Sequence, residues 1–358
     1  MSDSPTVTIR GQQGDDWEQL YALLNEPDIL RASLDDLPYV SEESFREQVN
    51  APSAATHTLI AETGQPSGRK RIIGVAWLAR QRARRRHLAE LSLAVHPDYR
   101  GSEVEYSLLD AALNLADQWL GLQRVEVIVY ADDDTALDFY EQHGFEREAL
   151  MPRFTFRAGE YSAAVMLARR RVHFPAVETR APSPPARPVG KEGKLAITVR
   201  ACEVDDWEDV AAIRSSGNVV YNTLQLPYMT RESLRERMEN MPENLLMLAA
   251  VVKDRVVGQL GLDLNSGRRA HVVRLGMMVH AEYQGRGVGS ALMAAAVDLA
   301  ENWLNISRIE LECYTDNVAA RALYEKFGFA LEGTLHDYAF RAGRYVDAYL
   351  MARIRSED

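Results

Sequence analysis

The sequence predicts a mixed α/β fold, a sheet flanked by helices, that is present in two tandem copies. Three observations predict it. The chain repeats itself over most of its length, each copy alternates strand-like and helix-like segments, and a glycine-rich loop joins a strand to a long helix. Period-two alternation indicates strands, and apolar residues spaced three and four apart indicate helices. With 358 residues, the chain has room for two domains of ordinary size.

The repeat consists of matching segments in the same order. VTIR at residues 7–10 returns as ITVR at 197–200, and VHPDYRG at 95–101 returns as VHAEYQG at 279–285. The offset is 190 residues early in the copies and 184 later. The first copy therefore has extra residues, which we place in the hairpin segment GQPSGRKRIIG.

A proline-rich segment, HFPAVETRAPSPPARPVGKEGK, separates the copies. Its five prolines prevent both a helix and a central strand, so an extended linker is predicted. The predicted domains are residues 1–172 and 195–358, with the linker at 173–194.

The elements of the second copy follow one another in a regular order. LAITVR alternates as a strand, and helical patterns run from Val204 into the 230s. LLMLAAVV, VVGQLGLDL and HVVRLGMMV are predicted to be three successive strands, with turns at 253–254 and 265–267. The glycine-rich loop opens the helix SALMAAAVDLAENWL, and RIELECY alternates as a strand. NVAARALYEKFGF is a helix that Gly328 closes, and a final hairpin turns near 342–343.

Composition excludes several classes of function. The formal net charge of −11 argues against a general nucleic-acid binder, and RQRARRRH at 80–87 is expected to be a solvated hairpin tip. Cys202 and Cys313 cannot form a disulfide framework or a zinc spacing, so no metal is expected. The N-terminus has no export signal and no apolar run is long enough to cross a bilayer, so we expect a cytoplasmic protein without membrane contacts.

The glycine-rich loop, QGRGVG at Gln284 to Gly289, is the strongest functional signal. Its three glycines allow backbone N–H groups to converge without obstruction by a Cβ atom. They converge at a helix N-terminus, where unpaired donors and the helix dipole favour an anion, and Arg286 adds a positive charge. We expect a phosphate or pyrophosphate here, with a tight turn that binds nothing as the alternative. The loop lacks the Gly-Lys-Ser/Thr of a Walker loop and the βαβ context of the dinucleotide fingerprint.

This arrangement resembles the GNAT family of N-acetyltransferases. Their motif, Gln/Arg-x-x-Gly-x-Gly/Ala, is present as Gln284 to Gly289. A second signature, Asn…Ala…Tyr…Gly-Phe, is present as Asn317, Ala320, Tyr324, Gly328 and Phe329. The resemblance covers essentially all of each copy and implies two tandem acyl-CoA N-acyltransferase domains. The C-terminal copy is similar to a bacterial branch that acetylates free amino acids.

The resemblance implies an enzyme that moves acetyl from acetyl-CoA, its co-substrate, to a primary amine of a small molecule. It places the pyrophosphate on the loop amides and the pantetheine arm beside a strand, where it pairs with the main chain. Side-chain identity therefore matters little at most of these positions. The implied cofactor-binding residues are Met277, Met278, Val279, Gln284, Gly285, Arg286, Gly287, Val288, Gly289, Ser290 and Asn317.

Tyr324 is the implied general acid. It lies seven residues, two helical turns, after Asn317 and so on the same helix face. From there it would reach the sulfur and protonate the departing thiolate. The alternative is a buried aromatic ring that faces the sheet.

The base that deprotonates the incoming ammonium stays open. A water held by backbone carbonyls is one possibility, and the side-chain candidates are Glu310, Glu312 and His271. We select Glu310 as the catalytic base, because it has a counterpart, Glu126, in the first copy. The alternative is a solvated or paired strand carboxylate.

By the same resemblance, the segment between the first two helices forms the acceptor side. In the second copy it is NVVYNTLQLPYM, and the predicted substrate-binding residues are Tyr221, Asn222, Leu226 and Tyr228. An aromatic, uncharged wall suits a small apolar amino acid better than a polyamine, which requires acidic walls. The alternative is that these residues only pack the helices.

The first copy departs from the pattern at the loop. Its loop has carboxylates where the second copy has glycines, and each would repel the pyrophosphate. One carboxylate–phosphate pair costs roughly 3 kcal/mol at about 5 Å and an effective dielectric near 20. Tyr140 is the counterpart of Tyr324, but we predict that residues 1–172 keep the fold and have lost acetyl-CoA binding. The alternative is that the loop has shifted and still admits the cofactor. This copy could cover the active half, shape the amine site or replace the partner subunit of a homodimer. The acidic replacements are Glu103 for Gly287, Glu105 for Gly289 and Asp133 for Asn317.

Two other functions stay open. A protein or peptide N-acetyltransferase would accept a protein N-terminus or a lysine in place of a small molecule. A non-catalytic acyl-CoA-binding module would bind acetyl-CoA tightly and turn it over slowly with every amine. The intact Tyr324 favours an enzyme over such a module.

Overall fold

The computed structural model describes residues 7–51, 55–64, 70–171 and 195–356. The linker predicted at 173–194 and part of the hairpin segment that we expect to hold the extra residues of the first copy lie outside the described residues. The chain forms two compact units, Met1–His173 and Phe174–Asp358.

The first unit is a seven-stranded sheet with helices. Its strand order is β1-β2-β3-β4-β5-β7-β6, and all neighbouring pairs are antiparallel except the parallel pair β4–β5. The strands are β1 (Val7–Gly11), β2 (Thr56–Gly64), β3 (Lys70–Arg80), β4 (Leu88–Val95), β5 (Arg124–Tyr130), β6 (Glu146–Arg157) and β7 (Glu160–Arg170). The helices are α1 (Trp17–Leu24), α2 (Pro27–Ala32), α3 (Glu42–Asn50), α4 (Glu103–Asn114) and α5 (Asp134–Gln142).

The second unit repeats this topology in the order β8-β9-β10-β11-β12-β14-β13, with β11–β12 parallel. Its strands are β8 (Thr198–Ala201), β9 (Leu245–Val252), β10 (Arg255–Leu264), β11 (Val272–Val279), β12 (Arg308–Tyr314), β13 (Ala330–Arg341) and β14 (Arg344–Ile354). Its helices are α6 (Trp207–Ser215), α7 (Gly217–Asn222), α8 (Arg231–Glu239), α9 (Val288–Asp298) and α10 (Val318–Lys326). The mixed sheet flanked by helices confirms the predicted fold class.

The helical pattern predicted from Val204 into the 230s is three short helices. Ser216 is extended, with ψ 135°, and so separates α6 from α7. Pro227 lies in the segment between α7 and α8, where proline disfavours a continuous helix. The predicted final hairpin is present, and its turn residues Ala342 and Gly343 have φ 49° and 84°, as a tight two-residue hairpin turn requires.

Two apolar clusters cover opposite faces of the second sheet. Residues of α9, among them Leu292 and Met293, pack with Leu260 and Leu311 on one face. Residues of α6 and α8 pack with Met278 and their neighbours on the other. Period-two alternation along the strands supplies both faces, since successive side chains point to opposite sides.

Strands β11 and β12 separate partway along their length. Their parallel pairing covers only Val272–Arg274 and Arg308–Glu310. Beyond that point β12 stays paired with β14 up to Tyr314, and β11 stays paired with β10 up to Val279. Among the described residues, the facing edges of the two strands therefore have no ladder partner, and main-chain groups of β11 border the opening.

Candidate functional site

The glycine-rich loop of the second unit depends on left-handed backbone. Gly285 has φ +73° and Gly287 has φ +91°, a region where a Cβ is costly. Gly287 is the N-cap of α9, and no side chain caps the helix. The helix thus begins directly from the loop, with its first N–H groups directed outward.

The first turn of α9 offers unused donors. Within the described part of the chain, the N–H groups of Val288, Gly289 and Ser290 have no acceptor. Nearby, Arg286 Nε is buried and also has no hydrogen-bond partner among the described residues. Amide donors, the helix dipole and a guanidinium are the groups that bind anions at helix N-termini.

Neighbouring elements fix the position of this loop. The Gln284 side chain donates to the Val279 carbonyl oxygen at 2.9 Å, which ties the loop to the end of β11. A Cβ built at Gly289 would lie 3.0 Å from Leu323 Cδ2 and 3.6 Å from Met277 Cε. A side chain at Gly289 would therefore crowd Leu323 of α10 and come into ordinary contact with Met277 of β11.

Asn317 and Tyr324 lie on α10 beside the loop. Asn317 is the N-cap, and its Oδ1 accepts from the Ala320 N–H at 3.3 Å, which leaves its amide NH₂ as a donor. Tyr324 is 7% exposed and packs on Phe329 with ring centroids 5.9 Å apart. Burial, and then Cys313, raises the pKa of Tyr324. The phenol therefore stays protonated at neutral pH, as a proton donor must.

The equivalent loop of the first unit has a different local structure. Helix α4 begins at Glu103, one equivalent position earlier than α9, since Ser102 is the N-cap in place of a left-handed glycine. Ser102 Oγ accepts from the Val104 N–H at 3.3 Å. The Glu105 carboxylate accepts from the Gly101 N–H at 2.8 Å. The first copy therefore binds its own carboxylate at the turn that opens the helix.

The cleft of the first unit is open but acidic. It encloses 1570 Å³, and its lining includes Glu105, Asp133 and Tyr140. Asp133 caps α5 by accepting from the Ala136 N–H at 3.0 Å, as Asn317 caps α10, but a carboxylate has no N–H to donate. Burial, then Glu105 and Asp133, raises the pKa of Tyr140. The cleft thus carries carboxylates at the positions where the second unit has Gly289 and Asn317.

Glu310, predicted as the catalytic base, is held by two arginines. Arg269 Nη2 donates to Oε1 at 2.7 Å, and Arg308 Nε donates to Oε2 at 3.1 Å. Arg308 also makes a bidentate pair with Glu332. This geometry favours the alternative of a paired strand carboxylate. The first copy has the same cluster, formed by Arg85, Arg124, Glu126 and Glu148.

The other side-chain candidates for the base lie along the same strands. Glu312 lies two residues beyond the last β12 residue paired with β11, and it accepts from Arg274 Nε at 3.1 Å. Glu312 raises the pKa of Arg274, so this guanidinium is charged at neutral pH. His271 immediately precedes β11, and its carbonyl oxygen accepts from the Ser307 N–H at 3.0 Å.

The structure separates the predicted acceptor residues. Tyr221 and Asn222 end α7, and the Tyr221 ring lies 4.1 Å from Arg341 Cζ. Leu226 is 48% exposed and Tyr228 fully exposed. Arg341, which sequence reasoning missed, is paired with Asp316. It also stacks on Tyr314 at 4.6 Å, as its counterpart Arg157 stacks on Tyr130 at 3.9 Å, so that stacking contact belongs to both copies.

Arg214, in the last turn of α6, was also missed. Its Nη1 donates to Gln225 Oε1 at 3.3 Å and its Nη2 to Gln259 Oε1 at 3.2 Å. Burial, and then Arg237, lowers the pKa of Arg214 to about 10, so it remains charged at neutral pH. A comparison of the two copies could have identified Arg214, because its counterpart in the first copy is a leucine, Leu24.

Comparison with known proteins gives two kinds of match. The model of the Acetyltransferase (GNAT) family matches residues 17–145 and again 207–329. The L-amino acid N-acetyltransferase AaaT of Escherichia coli is 40% identical over 160 residues, 44% of this chain and 98% of that protein. The spermidine N(1)-acetyltransferase of Vibrio cholerae is 27% identical, with 45% and 94% covered. An N-alpha-acetyltransferase of Saccharolobus solfataricus is 30% identical, with 44% and 92% covered.

Among the described residues, no helix is long and apolar enough to cross a membrane. No group of three or more His, Cys, Asp or Glu side chains in that part of the chain could hold a metal ion.

Proposed function

The chain belongs to the GNAT acetyltransferase family, and from that premise we propose that its second unit acetylates the amino group of a free amino acid. As a member of this family, the protein is an acetyl-CoA-dependent N-acetyltransferase. The observation that carries the assignment to the second unit is the set of free amides in the first turn of α9, next to Arg286.

The residues of the second unit fit the acyl donor in three places. The amides of the first α9 turn and Arg286 would bind the pyrophosphate, because unpaired N–H groups and a guanidinium are its natural partners. The edge of β11 at Met277–Val279 would pair with the amides of the pantetheine arm. The free NH₂ of Asn317 would donate to an acceptor of the same molecule.

The chemistry requires one bond to form and one to break. The neutral amine attacks the thioester carbon, the new N–C bond forms, and the C–S bond breaks. We assign to Tyr324 the proton that the departing thiolate takes up. Glu310 stays the predicted base for the ammonium proton. The alternative is a water held by backbone carbonyls, and it gains support because two arginines already hold the Glu310 carboxylate.

One relative supports an amino acid as acceptor. AaaT, 40% identical, is named as an L-amino acid N-acetyltransferase, whereas the relative named for spermidine is 27% identical. Arg341, which lies against Tyr221 of the predicted acceptor wall, is paired with Asp316 and so adds no net charge to that wall.

We propose that residues 1–172 are a GNAT-like domain without acetyl-CoA binding, joined by the segment 173–194 to the active domain at 195–358. The support is the Glu105 carboxylate at the Gly101 N–H and the acidic cap Asp133. Both add negative charge at positions where the second unit has glycine and asparagine.

A screen for CoA release tests the proposal. The purified full chain is incubated with acetyl-CoA and a panel of L-amino acids, peptides and polyamines, and the released thiol is measured. We expect the highest kcat/KM with a free amino acid. Preferred turnover of peptides would support the alternative protein N-acetyltransferase, and CoA release with none of the amines would contradict the proposed function.

A further inference from the structure

The guanidinium of Arg214 lies between the predicted acceptor wall and the strand beside the predicted cofactor site. One of its hydrogen bonds goes to Gln225, in the segment between α7 and α8. The other goes to Gln259 of β10, which is fully buried. Gln259 is paired in register with Met278 of β11, and side chains directly opposite on antiparallel strands share a face. Arg214 is therefore one side chain away from the strand expected to bind pantetheine.

This guanidinium has no carboxylate partner among the described residues. Both of its hydrogen bonds go to neutral amides. The two carboxylates of α6 are committed elsewhere, Glu208 to Arg231 at 3.0 Å and Asp209 to Arg255. A second cation, Arg237, lies close enough to lower the Arg214 pKa further. A half-buried cation without a counterion destabilises the fold. We therefore expect Arg214 to have a function in ligand binding that offsets this cost.

The repeat shows that the fold does not need this charge. With the offset of 190 residues, the position of Arg214 is occupied by Leu24, and with the offset of 184, that of Gln259 is occupied by Val75. Val75 is buried, and Leu24 packs against the apolar cluster that contains it. The first copy thus fills the same place with two apolar side chains. The Arg214–Gln259 hydrogen bond is specific to the copy whose loop amides have no acceptor among the described residues.

We infer that Arg214 binds the carboxylate of the acceptor, so that the substrate class is amines with a carboxylate on the adjacent carbon. This inference rests on the proposed function and sharpens it. A guanidinium binds a carboxylate through two parallel N–H···O bonds. A free amino acid presents that carboxylate one carbon away from the reacting nitrogen. A peptide N-terminus presents a neutral amide there, and a polyamine presents no acid at all.

The test compares an amino acid with its own carboxamide. The amino acid with the highest kcat/KM in the screen and the amide of the same amino acid are assayed with the wild-type full chain and with Arg214→Leu. Arg214→Leu should lower kcat/KM for the amino acid roughly 10- to 100-fold, the worth of a hydrogen bond to a charged group, and leave that for the amide unchanged. Arg214→Lys should recover part of the loss.

Two controls separate binding from folding. The melting temperature of Arg214→Leu/Gln259→Val should equal or exceed that of the wild type, because this double variant has both residues of the first copy, lacks the unpaired charge and leaves no Gln259 amide buried without a partner. Its kcat/KM values should show the same selective loss for the amino acid as those of Arg214→Leu. Arg231→Leu, which removes an exposed guanidinium from α8, should leave both substrates unaffected.

The outcomes distinguish this inference from the function on which it rests. Equal losses for the amino acid and its amide in Arg214→Leu would overturn the carboxylate role and leave amino-acid acetylation intact. A wild type that acetylates only amines without a carboxylate would overturn the inference and leave acetyl transfer intact. A wild type that releases CoA with no amine would overturn the proposed function, and the inference would fail with it.

Discussion

The two copies open equivalent helices with equivalent turns, and they use the turn amides in different ways. In the second copy, the N–H groups of 288–290 have no acceptor within the described residues. In the first copy, Ser102 caps the helix and the Glu105 carboxylate accepts from the Gly101 N–H. The same fold is thus compatible with a site for an external anion and with a site occupied by an internal one. The choice depends on a few side chains.

The helix cap on the following element repeats this contrast at a single residue. Asn317 and Asp133 make the same hydrogen bond to the third residue beyond them, so both stabilise the helix. Only the asparagine retains an N–H donor for a ligand, and only the aspartate adds a negative charge. Features common to both copies thus maintain the fold, and features that differ between them point to ligand binding.

Placing the two glutamates of the first copy's loop into the second copy should have the largest effect on CoA binding. In Gly287→Glu/Gly289→Glu, two carboxylates face the pyrophosphate at roughly 3 kcal/mol each, which weakens CoA binding at least about 1000-fold. Calorimetric titration of the full-length variant measures this. Lys326→Glu, an exposed position on α10, makes the same change in net charge and should bind CoA normally. Gly287→Gln/Gly289→Gln adds side chains of the same size and the same strain at Gly287 without charge, and should bind CoA more tightly than the glutamate variant. Equal losses in the glutamate and glutamine variants, or glutamate-variant binding within about tenfold of the wild type, would refute the electrostatic contrast.

The tyrosines of the two copies give the next largest effect. Tyr324→Phe should lower kcat roughly 100-fold, the usual contribution of a positioned acid, with unchanged affinity for CoA. Tyr140→Phe, its twin, should leave kcat unchanged, because the first copy is not expected to bind the donor. Steady-state kinetics and CoA titration of both variants provide the comparison. Equal activity of Tyr324→Phe and the wild type would reduce Tyr324 to a packing residue.

Local patterns in the sequence predict the fold well. The internal repeat, the period-two strands and the left-handed glycines of the loop are all short-range signals, and the structure has the corresponding sheet, helix and turn. The sequence also shows where the acidic residues of the first loop lie. It could not show that Glu105 accepts from Gly101, because that bond depends on the helix starting one position earlier.

The parts of the site that the sequence did not predict depend on long-range contacts. Arg341 reaches Tyr221 across 120 residues, and Arg214 reaches Gln259 across 45. Neither pairing leaves a local pattern in a single sequence. The choice of the candidate base shows a different limit of sequence reasoning. Glu310 was selected because it has a counterpart, Glu126, in the first copy, yet in both copies this glutamate is paired with arginines.

The most direct test of the difference between the copies is the number of CoA molecules that one chain binds. Calorimetric titration of the wild-type full chain with CoA should give a stoichiometry of one, and Gly287→Glu/Gly289→Glu should abolish that site. A stoichiometry of two, or a site that survives in the double variant, would contradict the proposal that only the second copy binds the acyl donor.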